Sequence, residues 1–284
     1  MKQNSKVSVC MITYGHEKYI REAIEGVLMQ ECDFEVELIL ANDCSPDKTD
    51  EVIEDILKNH PKASWIKYLK HDKNIGMMPN FIFSMKQCSG DYIALCEGDD
   101  YWTDIFKLQK QVDFLEVNPD YAICFHKVNV LRDRTIEEDG ITAKVPETTT
   151  IKDLAKGNYI HTCSVVYRNN LFLELPQYFK ESPVGDYFLH LLNARYGAIK
   201  YFDVTMGVYR VHTTSVWSSK TQKEQELLWI PFLLKIKPNF DKEVQGILNT
   251  QIAFYKKSKE NKNFFWYLKK VKNKVSNRII IFFE

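Results

Sequence analysis

Glu97-Gly98-Asp99-Asp100 sets three carboxylates within four residues, directly after the apolar run Tyr92-Ile93-Ala94-Leu95-Cys96. Carboxylates this close repel one another, and each is costly to keep ionised without a cation or donors beside it. The run before them reads as a buried strand, and in open α/β sheets ligands sit outside the carboxyl ends of the strands. A hard divalent cation, Mg²⁺ or Mn²⁺, held by one or two carboxylates together with diphosphate oxygens suits such a cluster. The alternative is a solvated acidic turn.

The elements that position this turn alternate along the chain. Val7 to Thr13 reads as a strand, and Glu17 to Gln30 carries Tyr19, Ile20, Ala23, Ile24, Val27 and Leu28 at helical spacing. Val36 to Ala41 reads as a second strand, ending in the turn Asn42-Asp43-Cys44-Ser45-Pro46. Lys48 to Asn59 reads as a helix, Ile66 to Leu69 as a third strand and Met77 to Cys88 as a third helix. After the fourth strand come a helix over Asp104 to Asn118, stopping before Pro119, and a strand over Tyr121 to Phe125. Such alternation predicts an α/β fold with a Rossmann-like, mainly parallel central sheet covered on both faces by helices. Leu131 to Asp153 is charged and Thr-rich, a loop or small excursion. Regular structure is expected again over Thr162 to Arg168, near Gly185 to Tyr196 as a helix, and near Met206 to Val211 as a strand.

The 284 residues, 45% hydrophobic and 27% charged, have an ordinary globular composition. Net charge is zero, but residues 220–284 hold 14 Lys and Arg against 6 Asp and Glu, which leaves residues 1–219 at −8. An acidic body argues against a nucleic-acid partner. Seven scattered cysteines, with no CxxC pair, point to a reducing cytoplasmic setting rather than a disulfide framework. The polar start and the lack of any apolar run of about 20 residues predict neither a signal peptide nor a membrane span.

A dinucleotide fingerprint would need glycines in the first strand–helix turn. That turn is Thr13-Tyr14-Gly15-His16-Glu17, and no GxxxxGK[ST] occurs either. Polar groups instead recur at successive strand ends, at Thr13-Tyr14, at Asn42 to Ser45 and at the acidic cluster. A Tyr14 ring can stack on a base, and Asp43 can accept an imide N–H.

The order of "VSVCMITYGHEKYIREAIEGVLMQ", "LILANDCSPDKT", "HDKNIGMMPNF" and "GDYIALCEGDDYWTD" resembles glycosyltransferase family 2, inverting enzymes of the GT-A fold, and the resemblance implies a member of the type that serves bacterial surface-polysaccharide synthesis. The match is close over residues 6–126 and looser over 160–215. The resemblance implies that Thr13, Tyr14 and Asp43 contact the nucleotide base, with Asn42 standing where the family commonly has a further Asp. It implies that Asn74, Gly76 and Asn80 lie beside the nucleotide-sugar. Glu97, Asp99 and Asp100 occupy the DxD-type position, Glu97 replacing the usual first Asp. Asp99 then serves the ribose or the metal, and Asp100 is a metal ligand.

Inverting transfer needs a base set apart from the metal end. Asp186, after Gly185, resembles the family's base position; the alternative is a helix-start Asp favoured by the helix dipole. Tyr209-Arg210-Val211-His212 resembles a segment that closes over the diphosphate, with Arg210 offsetting phosphate charge and His212 on metal or phosphate; a surface histidine is the alternative. His161 and Cys163 fit an acceptor-side wall better than a metal pair, and Trp102 is either a core anchor or an acceptor-stacking ring.

Residues 252–284 hold nine Lys and Arg and two Glu, with Leu268, Val271, Val275, Ile279 and Phe282 near helical spacing. Such a segment suits peripheral contact with the inner face of an anionic membrane, or packing on the protein itself. The expectation is therefore a GT-A domain over 1–219, divided into a nucleotide-sugar half (1–126) and an acceptor half (127–219). A helical basic extension over 220–284 follows. The expected reaction passes a sugar from a nucleotide-sugar, a UDP-sugar, to a lipid-linked glycan. The rival readings are a catalytically silent nucleotide-sugar-binding protein and a nucleotidyltransferase, which would want a first turn richer in glycine and in Lys or Arg.

Overall fold

The computed structural model describes residues 5–183, 185–213 and 220–256. The chain forms two compact units, one of Met1–Leu154 and Asn158–Lys220, the other of Ala155–Gly157 and Thr221–Glu284.

In the first unit, β1 (Lys6–Thr13), β2 (Glu35–Asn42), β3 (Ile66–Lys70) and β4 (Tyr92–Leu95) lie in the order β3-β2-β1-β4, each neighbouring pair parallel. The crossovers are α1 (Ile20–Leu28), α2 (Thr49–Asn59) and α3 (Met77–Gln87). A strand covered on both faces must be apolar along its whole length, and β1 shows why. Val7, Val9 and Met11 are buried in one cluster with Ile20, Ile24 and Val27 of α1 and with Leu108, Val112 and Leu115 of α4 (Lys107–Val117). The next residue of opposite parity, Cys10, meets Ser84 of α3, Sγ to Oγ 3.2 Å. Each fully buried aliphatic side chain contributes roughly 1.5–3 kcal/mol relative to exposure.

Beyond β4 the sheet is mixed, which the alternating pattern did not predict. Its remaining strands are β5 (Tyr101–Trp102), β6 (Tyr121–Arg132), β7 (Thr135–Glu138), β8 (Thr148–Thr149), β9 (Val166–Arg168) and β10 (Ala198–Val211). β9 runs antiparallel between β4 and β6, β10 runs parallel to β6, and β5 is antiparallel to β10. The Thr162 to Arg168 segment opens with a 3₁₀ turn, so only Val166–Arg168 pairs. β6 continues seven residues past Phe125 because β10 supplies partners as far as Arg132. The Thr-rich excursion contains a hairpin: β7 returns on β6 through Asp133 and Arg134, both with positive φ (46° and 69°), as a two-residue primed turn demands. The short α5 (Ile151–Leu154) ends this part of the unit, and α6 (Gly185–Asn193) follows β9.

In the second unit, α7 (Gln222–Ile236) starts from a capping box. The Glu224 N–H donates to the Thr221 hydroxyl, and the Thr221 N–H donates to the Glu224 carboxylate at 2.8 Å. Residues 242–256 are helical, and Gln251 donates to the Lys156 carbonyl at 3.0 Å. The basic amphipathic stretch expected toward residue 284 lies outside the described residues from 257 onward. No helix among the described residues is long and apolar enough to cross a membrane.

Candidate functional site

The acidic turn follows β4 and is gripped from two sides. Gly98 donates its N–H to the Ile12 carbonyl at 3.0 Å, tying the turn to the end of β1. A Cβ at Gly98 would lie 2.8 Å from Thr13 Oγ1 and 2.9 Å from His16 Nδ1, so only glycine fits there. On the other side β5 pairs with β10 in the register Trp102↔Gly207 and Tyr101↔Val208. Continuing that antiparallel register sets residue 210 opposite 99 and residue 212 opposite 97, with 210 and 212 on one face by the period of two. The Arg210 backbone N–H donates to Asp100 Oδ1 at 2.7 Å, and His212 Nε2 donates to Asp99 Oδ2 at 2.9 Å.

The three carboxylates of the turn have different electrostatic fates. Burial pushes Glu97 well above the usual carboxylate range, and Asp99, Asp100 and Asp186 add to it. Asp100 is likewise driven up by burial and by Asp99, against the Arg210 N–H. Burial also raises Asp99, but the His212 hydrogen bond and the charges of His16 and His212 outweigh it and hold the group low. A cation would relieve this repulsion. Two overlapping donor groups could hold one, Glu97-Asp99-Asp100 and His16-Asp99-His212, each with ligand atoms within 4.8 Å of one another. Asp100 is 1% exposed, and among the described residues its Oδ2 has no nitrogen or oxygen hydrogen-bond partner, although the Cys163 thiol lies close enough to favour its charged form; such an oxygen can meet a cation.

Arg210 is held by its neighbours. Its guanidinium donates to the Asp99 carbonyl at 2.8 Å and to Glu22 of α1 at 2.5 Å, and it lies between the rings of Tyr19 and Tyr101 at 4.7 and 5.0 Å. These contacts make it a brace for the acidic turn.

At the other strand ends, Thr13 is buried and Tyr14 is 48% exposed, its ring open to solvent. Asp43, 2% exposed, accepts the N–H groups of Ile75 and Gly76 at 2.7 and 2.9 Å. A carboxylate has about four acceptor positions, so a further donor can still be received. Gly76 takes φ +94°, which lets the chain turn into α3. Asn74 is exposed, whereas Asn80 is buried, donating to the Ala41 carbonyl and accepting from His71, both at 3.0 Å. Asn80 clamps α3 to β2. Asn42 is buried too, bonded to Ser45 and Tyr68.

Asp186 stands in the first turn of α6, where its Oδ2 accepts the Thr162 hydroxyl at 3.0 Å. Gly185 lies against Met78 at the start of α3, with only 2.5 Å between its Cβ position and Met78 Cε. The base candidate is thereby brought beside the first turn of α3, within electrostatic reach of Glu97. His161 pairs with Asp139 at 3.2 Å, and Cys163 offers its carbonyl to the Trp102 indole N–H at 2.7 Å. Trp102 is 2% exposed, a core anchor.

The sequence model of glycosyl transferase family 2 matches residues 8–172. An uncharacterized protein of Mycobacterium tuberculosis is 38% identical over 220 residues, which are 75% of this chain and 61% of that protein. The chain therefore spans about three fifths of that relative's length. The uncharacterized glycosyltransferase EpsJ of Bacillus subtilis is 28% identical over 260 residues, 88% of this chain and 69% of that protein. Among solved structures, TarS of S. aureus in complex with UDP-GlcNAc superposes with a TM-score of 0.64 at 18% identity, covering 88% of this chain and 71% of that one. The mannosyltransferase PcManGT of Pyrobaculum calidifontis, in complex with GDP-Man and Mn²⁺, gives 0.67 at 14% identity, with 88% and 70% covered. The sheet order and its helical covers are those of the GT-A fold, and the chain belongs to glycosyltransferase family 2.

Proposed function

We propose that this chain is an inverting, metal-dependent transferase that moves a sugar from a nucleotide-sugar, a UDP-sugar, to an acceptor hydroxyl. The carrying observation is the opposition of two separate carboxylate centres. One is the Glu97–Asp100 turn with its unbonded Asp100 oxygen, and the other is Asp186 at the start of α6, whose charge helps to raise Glu97. Asp99, Asp100 and His212 would hold Mg²⁺ or Mn²⁺, which when bound supplies Lewis-acid stabilisation of the departing diphosphate. Asp186 accepts the proton of the acceptor hydroxyl while Thr162 fixes one of its oxygens. Tyr14 offers its exposed ring to the base, Asp43 a remaining acceptor position, Asn74 and Gly76 the rim of the sugar end, and Glu97 a reach to the ribose. The UDP-GlcNAc bound by TarS and the GDP-Man and Mn²⁺ bound by PcManGT support this donor class and the cation.

The acceptor in this reading is a lipid-linked glycan of a surface polysaccharide. The basic stretch 252–284 keeps the enzyme at the inner face of the membrane, where salt-sensitive flotation with anionic vesicles checks it. The donor reading is tested with a panel of nucleotide-sugars, scoring binding and hydrolysis with and without Mn²⁺ or Mg²⁺. Metal-dependent binding and slow hydrolysis of one donor are expected. Binding that ignores the metal and survives Asp100→Ala would overturn the cation's part. Tight binding with neither hydrolysis nor transfer would favour a silent binding protein.

A further inference from the structure

We infer that His16 is a direct ligand of the bound cation, forming with Asp99 and His212 a two-imidazole, one-carboxylate set that prefers Mn²⁺ and Co²⁺ to Mg²⁺. The inference rests on the reading above only in that a cation sits at the acidic turn.

The geometry comes from two remote segments meeting over one oxygen. Asp99 Oδ2 lies 2.9 Å from His212 Nε2 and 3.9 Å from His16 Nε2. Donors bound to one ion at about 2.0–2.2 Å sit about 3–3.5 Å apart, so the two distances to Asp99 Oδ2 bracket the separation a shared ion imposes, and all three donor atoms lie within 4.8 Å of one another. An ion bound among them requires the Nε2 proton of His212 to leave, to solvent or by tautomeric shift to Nδ1, so that two coordinate bonds replace the His212–Asp99 hydrogen bond. Asp100 belongs to the adjoining donor group, which shares Asp99, and offers a further carboxylate oxygen, Oδ2, there.

His16 is also held as a ligand must be. Its Nδ1 sits 3.2 Å from the Thr13 hydroxyl, its backbone N–H donates to Thr49 Oγ1 at 2.8 Å, and its ring edge closes against Gly98. With Nδ1 engaged by Thr13, the other ring nitrogen is the one presented to Asp99. A hydrogen bond to the non-ligating nitrogen is how proteins fix the tautomer and aim of a metal-binding histidine.

Two imidazoles change which ion is favoured. Mg²⁺ takes oxygen ligands in near-ideal octahedral geometry and gives up its water reluctantly. Nitrogen-containing sites follow the rising order from Mn²⁺ to Co²⁺.

The test titrates Mn²⁺, alone and with UDP, into the wild-type protein, His16→Ala and His212→Ala. Free Mn²⁺ is counted by electron paramagnetic resonance, and ligating ¹⁴N is read by electron spin-echo modulation. Two imidazole nitrogens are expected in the wild type and one in each variant, with Mn²⁺ affinity falling about tenfold or more in His16→Ala. Mg²⁺ should displace Mn²⁺ only at about tenfold or greater excess, and Co²⁺ should compete better than either. A single nitrogen in the wild type overturns the inference, and that count does not depend on any variant folding. Unchanged modulation in His16→Ala, or Mg²⁺ competing on equal terms, overturns it as well. One-nitrogen Mn²⁺ binding removes His16 but leaves the cation site. No Mn²⁺ binding in any protein, with or without UDP, removes the cation site and this inference with it.

Discussion

Thr162 Oγ1 donates a 3.0 Å hydrogen bond to Asp186 Oδ2, so one oxygen of the carboxylate is fixed while the other is left for chemistry. This division of labour makes a graded prediction. Asp186→Asn should keep donor affinity within about threefold and lower hydrolysis or transfer by about 10²–10⁴. Thr162→Val should lower kcat by about tenfold through misplacement, with donor KM unchanged, and Thr162→Ser should restore most of it. Steady-state kinetics on the preferred donor beside calorimetric binding separates these effects. Turnover by Asp186→Asn at the wild-type rate would remove it as the base.

Gly98 carries a steric prediction. Its Cβ position lies 2.8 Å from Thr13 Oγ1 and 2.9 Å from both Thr13 Cβ and His16 Nδ1, so Gly98→Ala must push the acidic turn away from β1. Overpacking of this kind costs about 1–3 kcal/mol. The displaced turn should also bind Mn²⁺ about tenfold more weakly, since ligand geometry is lost along with stability. Guanidinium unfolding and Mn²⁺ titration on the same preparation measure both quantities. A variant as stable and as tight as the wild type would mean that the turn relaxes freely.

What the sequence exposed and what it hid follow one rule. β1, β2 and β4 were readable because each carries an apolar run bounded by turns, β3 because Ile66, Tyr68 and Leu69 sit between two helical patterns, and the acidic turn because its three carboxylates adjoin one another. β5 was hidden because two residues carry no periodicity, and β9 because its antiparallel place between β4 and β6 depends on partners far away in sequence. The same distance hid His16. Within Thr13 to Glu17 it is a turn residue among others, and only the fold sets it beside Asp99, 83 positions on. Asp43, Asn80 and Arg210 were noticed for their chemistry, but the bonds that hold 75–76, Ala41 and Glu22 could not be read from spacing.

Arg210 gives a case where two roles predict opposite kinetics. As a brace it joins Asp99 to Glu22 and fills the gap between Tyr19 and Tyr101. Arg210→Lys should then cost about 2–3 kcal/mol of stability, because one point charge cannot replace the planar fork. Glu22→Gln should cost less than about 1 kcal/mol, since the Glu22 side chain is 53% exposed. Thermal unfolding and donor KM together decide. An arginine that served the diphosphate alone would raise KM and leave stability untouched.

Lys107 makes the prediction with the clearest sign. It is fully buried at the start of α4, its Nζ 3.8 Å over the Trp102 ring and, among the described residues, without a hydrogen-bond partner. Burial pulls its ammonium from 10.5 to about 8, although the thiols of Cys96, Cys124, Cys163 and Cys32 pull the other way. Between about pH 8 and 10.5 the unfolded chain therefore binds the proton more readily than the folded one, and stability climbs with pH across that window. Below pH 8 the cost of the buried charge is present in full, about 3 kcal/mol, more than a cation–π contact of about 0.5–2 kcal/mol usually returns. Lys107→Met should accordingly stabilise the protein by about 1–3 kcal/mol at pH 7. That gain should shrink toward zero as the wild type is titrated to pH 10. Guanidinium unfolding of both proteins across pH 7–10 reads the difference. A gain that ignores pH, or a loss at pH 7, would mean that the charge is stabilised by more than the Trp102 ring.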